Sequence, residues 1–316
     1  MRHTLLVDGN SIGHAAQNSN PLKSGEQETQ AVFGTLRTLH AMTKAAPTRG
    51  ARIIVFWDGE SWRKSENPEY KANRDDDPEQ ARNRESYKQQ RPFITRSLAY
   101  LGITQVSAAN LEADDLIASV VRENQGRNVM TIISGDKDLW QLVGPNVRWH
   151  NPINYKHNAP KVRTLRHEDF HDSTQYGSPM AFLEGKALMG DASDNIAGVG
   201  GIGEKGAINL LDHWGSVKNM IMDVRENQSD AIPEHLRRSY RKKFVTFANN
   251  PEAIKVFAAN KKLMNLIDPV APAPEDKKVV KIEQDMTGFA GVCEQLGFVS
   301  ILRALDAWSE NFKEAA

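Results

Sequence analysis

Three apolar runs in this chain end in aspartate: Thr4-Leu5-Leu6-Val7-Asp8-Gly9, Arg52-Ile53-Ile54-Val55-Phe56-Trp57-Asp58-Gly59 and Val129-Met130-Thr131-Ile132-Ile133-Ser134-Gly135-Asp136. Short apolar runs bounded by turn residues read as buried strands. In an open parallel sheet the carboxyl ends of the strands share one edge, where ligands bind, so Asp8, Asp58 and Asp136 are expected to converge. Further acids belong with them. Glu112-Ala113-Asp114-Asp115 opens a helical stretch on which Glu112 and Asp115, three residues apart, share a face. Asp138 follows Asp136 after a single lysine.

Carboxylates crowded into one crevice repel and raise one another's pKa, and bound cations remove the conflict. No His or Cys accompanies these acids at ligand spacing, which favours the oxygen-preferring ions Mg²⁺ or Mn²⁺ over zinc. Two such ions about 4 Å apart can activate water and stabilise the leaving oxygen in phosphodiester cleavage. Each signal also has a plainer reading. Asp-Gly after a strand makes a turn, and acids at a helix start complement its dipole. Asp136-Lys137-Asp138 does not open a calcium loop, because Gln141 stands where that loop needs glycine. Their joint order along one chain is what carries the metal reading.

The elements that must position these acids alternate strand with helix. Val32, Leu36, Leu39 and Met42 recur at helical spacing between about Thr29 and Ala46, and Leu116, Ile117, Val120 and Val121 do so between Glu112 and Gln125. With a further strand over 103–107, this predicts an α/β fold with a mostly parallel central sheet flanked by helices. From Glu60 to Arg96 the chain is polar, with eight acids among nine basic residues, and reads as a mobile, solvated excursion. Beyond Pro179 it becomes helical and glycine-punctuated; a Pro/Ala linker (Pro269 to Pro274) precedes a helical end from Thr287 to Phe312.

The 316 residues suffice for one large or two smaller domains. Forty Lys+Arg balance forty Asp+Glu, so the chain as a whole is not the basic molecule that simple nucleic-acid binding favours. No apolar run reaches the roughly 20 residues that span a bilayer. Met1-Arg2-His3 leads straight into a strand without a signal-peptide pattern. The single Cys293 excludes disulfides within a monomer and fits a reducing, cytoplasmic setting.

Leu6-Val7-Asp8-Gly9, Glu112-Ala113-Asp114-Asp115, Ser134-Gly135-Asp136-Lys137-Asp138 and Leu188-Met189-Gly190-Asp191-Ala192-Ser193-Asp194-Asn195 occur in that order. The series resembles the 5′-nuclease (flap endonuclease, 5′→3′ exonuclease) family over about residues 4–215. The resemblance implies a PIN-like fold and two metal ions held by Asp8, Asp58, Glu112, Asp114 and Asp136, with Asp115, Asp138, Asp191 and Asp194 outside them. Its substrate would be DNA with a 5′ end, flap or nick, bound by a monomer. Residues 1–178 would form the nuclease domain with an arch insertion at about 60–98, and 179–316 a helical DNA-binding region. Pro68-Glu69-Tyr70-Lys71-Ala72-Asn73-Arg74 is similar to the family's segment at the base of the arch. By that likeness Lys71 reaches the scissile phosphate, Arg74 makes a second phosphate contact, and Tyr70 stacks on a base. Arg63, Arg82, Arg84, Lys88 and Arg91 would line the strand path. One departure stands out. Where many relatives carry an arginine soon after the first aspartate, this chain reads Ile12-Gly13-His14-Ala15-Ala16.

Gly198-Val199-Gly200-Gly201-Ile202-Gly203 fits G-x-G-x-x-G, but no strand precedes it, so a dinucleotide site is excluded by context. A glycine hairpin between helices is the better reading, with Lys205 in the second helix. Gly198, Gly200, Gly201 and Gly203 would free backbone N–H groups for a duplex phosphate. This resembles the family's helix-two-turn-helix, at about 179–215, and allows a K⁺ ion on its loop carbonyls. The basic run Leu236 to Phe244 either extends that contact or is a solvated helix face. A PIN-like ribonuclease and a flap-binding protein without catalysis are the alternative functions. The hairpin speaks against the first, and the full set of acids against the second.

Overall fold

The computed structural model describes residues 3–44, 50–124, 126–153, 162–268 and 271–312. Seven strands form one sheet: β1 (His3–Asp8), β2 (Arg52–Trp57), β3 (Thr104–Ser107), β4 (Val129–Ile133), β5 (Val147–His150), β6 (Thr164–Leu165) and β7 (Lys278–Val280), in the order β7-β3-β2-β1-β4-β5-β6. The five inner strands run parallel, while β6 and β7 close the edges antiparallel. This is the mostly parallel, helix-covered sheet that the alternating pattern predicts.

Strand alternation divides the core in two. Leu6, Phe56 and Ile132 face one side, and Leu5, Val7, Ile53 and Val55 face the other. The second side is covered by α1 (Gly9–Gln17) and α2 (Gln30–Lys44). Next in the chain come the short α3 (Arg63–Glu66) and the long α4 (Pro78–Tyr100). The first side is covered by α5 (Ala113–Glu123), beyond which lie α6 (Phe170–Thr174) and α7 (Pro179–Met189). A helical layer follows, comprising α8 (Glu204–Trp214), α9 (Val217–Asn227), α10 (Glu234–Ala248) and α11 (Pro251–Met264). Its Leu210, Leu211, Phe244 and Phe247 extend the first core. The ends predicted for α2 and α5, Ala46 and Gln125, lie outside the described residues.

The polar excursion is corrected by the structure. Residues 78–100 are one helix packed over α2, burying Tyr87, Gln90, Ile94, Ser97 and Leu98. Asp77 caps it through Glu79 N at 2.9 Å, and Pro78 supplies a preset first turn. Gln90 accepts from Ala31 N at 2.9 Å and donates to Gln17 at 2.7 Å. The sparse apolar residues fall on one face, which the surrounding charge hides from a composition-based reading.

The C-terminal residues also return to the sheet. β7 pairs with β3, α12 (Met286–Gln295) packs on α4, and α14 (Leu305–Phe312) packs on α2. The end expected to be helical over Thr287 to Phe312 consists of α12, the short α13 (Val299–Leu302) and α14. The first break falls at Gly297, whose φ of +70° ends α12 in a left-handed turn. Of the expected linker, residues 269–270 lie outside the described residues. No helix among those described is long and apolar enough to cross a membrane.

Candidate active site

Parallel register brings the strand-end acids together. Asp8 pairs with Phe56, Val7 with Ile133, and Trp57 with Ser107, so Asp8, Asp58 and the Ser134–Asp136 turn share one edge. Asp8 caps α1 by accepting from Ser11 N at 2.9 Å, and its other oxygen accepts from Ser134 Oγ at 2.9 Å. Ser11 Oγ in turn accepts from Gly135 N at 2.9 Å, tying α1 to the β4 turn. Asp58 accepts from Ala113 N at 2.8 Å, which fixes the start of α5 beside it. Trp149 Nε1 donates to the Asp136 carbonyl at 2.9 Å. The result is a cleft of about 550 Å³ lined by Asp8, Asp58, Glu112, Asp114, Asp136, Asp138 and Asp191, together with Lys71, Arg74 and Lys186.

The carboxylates fall into two electrostatic classes. Among the described residues no lysine or arginine forms an ion pair with Asp8, Asp58, Asp114 or Asp136. Burial and the neighbouring Asp58 push Asp8 up to about 6. Asp136 opens onto the cleft, yet the surrounding protein and Asp138 push it up to about 7. Asp114 is raised well above the carboxylate range by burial and by Glu112. Glu112 is the opposite case: against its burial, Lys71 and Arg63 hold it at about 2.

Glu112 is the most heavily bonded acid of the cleft. It accepts from Ser61 Oγ at 2.9 Å, Arg63 Nη1 at 2.9 Å, Tyr70 Oη at 3.0 Å and the Lys71 ammonium. Arg63 also grips Asp115 with two hydrogen bonds at 2.8 Å and donates Nε to the Leu263 carbonyl at 2.7 Å. These contacts correct two expectations and bear on a third. Arg63 and Tyr70 are each 3% exposed, so neither faces solvent where DNA would lie. Asp115 is 2% exposed and does not line the cleft; both its oxygens are taken by Arg63, and one also accepts from Glu112 N. The bidentate guanidinium fixes Asp115 at the start of α5, beside Glu112 and Asp114. Tyr70 Oη shares its one proton between Glu112 and Asp194, the latter at 3.1 Å, and burial, Glu112 and Asp194 keep the phenol protonated. The carboxylates of Glu112, Asp114 and Asp115 bring ligand atoms within 4.8 Å of one another.

Lys71 has a left-handed backbone, φ +59°, which costs a non-glycine residue about 1–2 kcal/mol. Its N–H donates to the Asp194 carbonyl at 2.9 Å, and its ammonium lies 4.7 Å from the Tyr70 ring centroid. Arg74, whose side chain is 45% exposed, pairs with Asp194 at 3.0 Å. Asn73 and Asn195 bond reciprocally across the two segments, to Ala192 O at 2.9 Å and Glu69 O at 2.8 Å.

Lys186 was not among the residues singled out from sequence. It projects from α7 and pairs with Asp138 at 2.8 Å and Asp191 at 2.5 Å. Its signal is a lone lysine within the apolar run Phe182 to Met189, five residues before Asp191. Asp191 also accepts from Ser193 N and Oγ, at 2.8 and 2.6 Å. Next to Ala15, in the segment without the early arginine, burial lowers the His14 ring to about 4; Asp58 opposes this, and Arg74, Arg84 and Arg91 add to the fall. Arg91 stands nearby from α4, donating to the Asp58 carbonyl at 3.3 Å and lying over the Trp57 ring.

The glycine loop joins α7 to α8, as the hairpin reading requires. A side chain at Gly198 would place its Cβ 2.2 Å from the Met189 carbonyl, so only glycine lets the strands of the loop close. Gly200 and Gly201 have φ of +88° and +74°, and Gly203 is the N-cap of α8. Lys205 is exposed on the first turn of α8, and Lys243 of α10 lies beside Gly201.

The profile of the 5′-3′ exonuclease N-terminal resolvase-like domain matches residues 3–174, and that of the 5′-3′ exonuclease C-terminal SAM fold matches residues 178–250. The sequence is 32% identical over 243 residues to the thermostable DNA polymerase I of Thermus filiformis, covering 75% of this chain and 26% of that protein. Identity to DNA polymerase I of Bacillus caldotenax is 28% over 313 residues, covering 97% and 33%. The chain thus spans about a quarter to a third of the length of these curated relatives. The D15 protein of bacteriophage T5, crystallised with metal ions, superposes with a TM-score of 0.63 at 21% identity, 99% of each chain being covered. Human GEN1 in complex with Holliday junction DNA gives 0.60 at 14% identity over 94% of this chain and 68% of that one. At these identities the two structures attest a shared fold.

Proposed function

This chain belongs to the 5′-3′ exonuclease family, and from that premise we propose that it is a divalent-metal-dependent phosphodiesterase that hydrolyses DNA at or near 5′ ends, flaps and nicks. The observation that carries the reading is the group of four carboxylates, Asp8, Asp58, Asp114 and Asp136, gathered on one sheet edge without a cationic partner. An all-oxygen donor set of this charge fits Mg²⁺ or Mn²⁺, with Glu112 adjacent and Asp115, Asp138, Asp191 and Asp194 as the outer group. When bound, two such ions supply charge stabilisation at both the attacking and the leaving oxygen of a phosphodiester displacement.

The protein's own part is to position and to neutralise. Lys71 and Arg74 line the cleft on a segment stitched to the Asp194 loop, so a phosphate entering there meets two cations with little freedom to move. Lys71 would then exchange its contact with Glu112 for a phosphate oxygen. Residues 1–178 would form the catalytic domain and 179–215 a helix-two-turn-helix for the duplex. There the N–H groups of the Gly198–Gly203 loop and Lys205 would hold a backbone phosphate, with K⁺ on the loop carbonyls and the basic face of α10 alongside. The T5 D15 flap endonuclease, crystallised with DNA and metal ions, shares this fold.

The test uses 5′-labelled flap, nicked and blunt duplexes. Mg²⁺- or Mn²⁺-dependent release of short products is expected, abolished by chelator and by Asp136→Asn. Undiminished cleavage in excess chelator would sink the assignment, and tight flap binding without turnover in either metal would turn it toward a binding protein.

A further inference from the structure

Beyond the carboxylate cleft, α4 leads to a second cavity. Arg84, Lys88, Arg91 and Thr95 fall on one face of that helix, at spacings of four, three and four residues. Arg84 and Lys88 line a pocket that shares Asp58, Lys71, Arg74 and Glu112 with the cleft. Arg91 and Thr95 line the next one, a cavity of about 320 Å³ walled also by Arg96, Trp57, Ser107 of β3 and Lys278 of β7. The two differ in charge. The first holds Glu60 and Glu85 beside its bases, whereas no carboxylate lines the second among the described residues.

The bases of the second cavity are also held in place. The Arg91 guanidinium lies 5.1 Å from the Trp57 ring centroid, and that of Arg96 lies 5.2 Å from the Phe93 ring. Among the described residues neither Arg91, Arg96 nor Lys278 forms an ion pair. Three cations lining one cavity with no carboxylate among them suit the backbone phosphate of a single strand. Arg84 to Arg96 is twelve residues, on the order of 18 Å along the helix, or about five nucleotides of a stacked strand.

Resting on the 5′ nuclease reading above, we propose that this cavity binds a backbone phosphate of the single-stranded 5′ segment several nucleotides from the cut. The C-terminal strand β7 thereby contributes to substrate binding through Lys278. Arg91, in contact with the Asp58 backbone, marks where the track leaves the cleft.

The test compares duplexes carrying 5′ flaps of about two and about ten nucleotides, the shorter ending before the cavity. Binding is measured in chelator across a salt series for the parent, for Arg96→Glu with Lys278→Glu, and for the milder Arg96→Gln with Lys278→Gln should charge reversal impair folding. The expected result is about a tenfold loss on the long flap, less than about twofold on the short one, and a salt slope on the long flap alone that falls by about 1.4 for two lost contacts. Cleavage of the short flap in Mg²⁺ should be unchanged. Equal affinity of variant and parent for the long flap, or an equal loss on both flaps, overturns the proposal. Failure of the parent to cut either flap in Mg²⁺ or Mn²⁺ retires instead the nuclease reading on which it rests.

Discussion

Replacing Arg63 by methionine separates two readings of the same residue. As a surface contact for DNA, its loss should change stability by no more than about 0.5 kcal/mol. The structure instead places its guanidinium, 3% exposed, on Glu112, Asp115 and the Leu263 carbonyl, with four hydrogen bonds between 2.7 and 2.9 Å. Removing one partner from a buried ion pair leaves the carboxylates unsatisfied and costs about 3–5 kcal/mol. For a protein of this size that corresponds to a melting midpoint lower by on the order of 10 °C. Urea and thermal unfolding in chelator provide the assay. Adding Asp115→Asn to Arg63→Met should recover at least about 1 kcal/mol, because it removes one of the stranded charges. Added Mg²⁺ should stabilise Arg63→Met more than the parent, since the unpaired acids gain a new counter-ion. A loss below about 1 kcal/mol, or no recovery in the double variant, would refute the buried-clamp account.

Lys71→Ala should lower kcat by about 10²–10³-fold while leaving flap affinity within a few-fold, because its charge matters most as the transition state forms; an equal fall in affinity would mark it as a plain binding residue. Asp136→Asn should abolish cleavage and, in chelator, raise the melting midpoint by removing a repelled charge. The metal-free protein should gain stability as pH falls from about 8 to about 5. Asp8 and Asp136, raised to about 6 and 7, are penalised when ionised, and that penalty lifts as they protonate. Glu112, held at about 2, acts oppositely: its contribution is intact above the ordinary glutamate range and is lost as pH falls through about 2. Saturating Mg²⁺ should flatten the upper limb, and a flat profile in chelator would contradict the raised values. Gly198→Ala should destabilise the α7–α8 connection, read as weakened binding of duplex with little change in the far-UV circular dichroism.

The strand-end acids were legible because their physics is local. Each apolar run, its terminal aspartate and the following glycine report a buried strand and a turn, and parallel pairing then places the ends on one edge. Arg63, Tyr70 and Lys186 were not legible, because what fixes them is remote. Arg63 and Tyr70 lie in a charged segment and take their burial from carboxylates 42–52 residues away. Lys186 meets Asp138 only after α7 docks beside the short turn carrying that acid. The arch segment misled for a compositional reason: Ile94 and Leu98 are outnumbered by charges, yet they lie on the buried side of α4. No arginine follows closely on Asp8 in the chain, whereas Arg91 comes to the neighbouring Asp58 backbone from α4.

The bond from Arg63 to the Leu263 carbonyl joins residues 200 apart, and the Lys71 segment is sewn to the Asp194 loop across 119 to 124. Such contacts are slow to form and complete only when both ends are present. During synthesis, which proceeds from the N-terminus, the strand-end acids emerge well before the helix that anchors their clamp. A half-made chain can therefore pair its five parallel strands before the contacts that fix Arg63 and the Lys71 segment are complete.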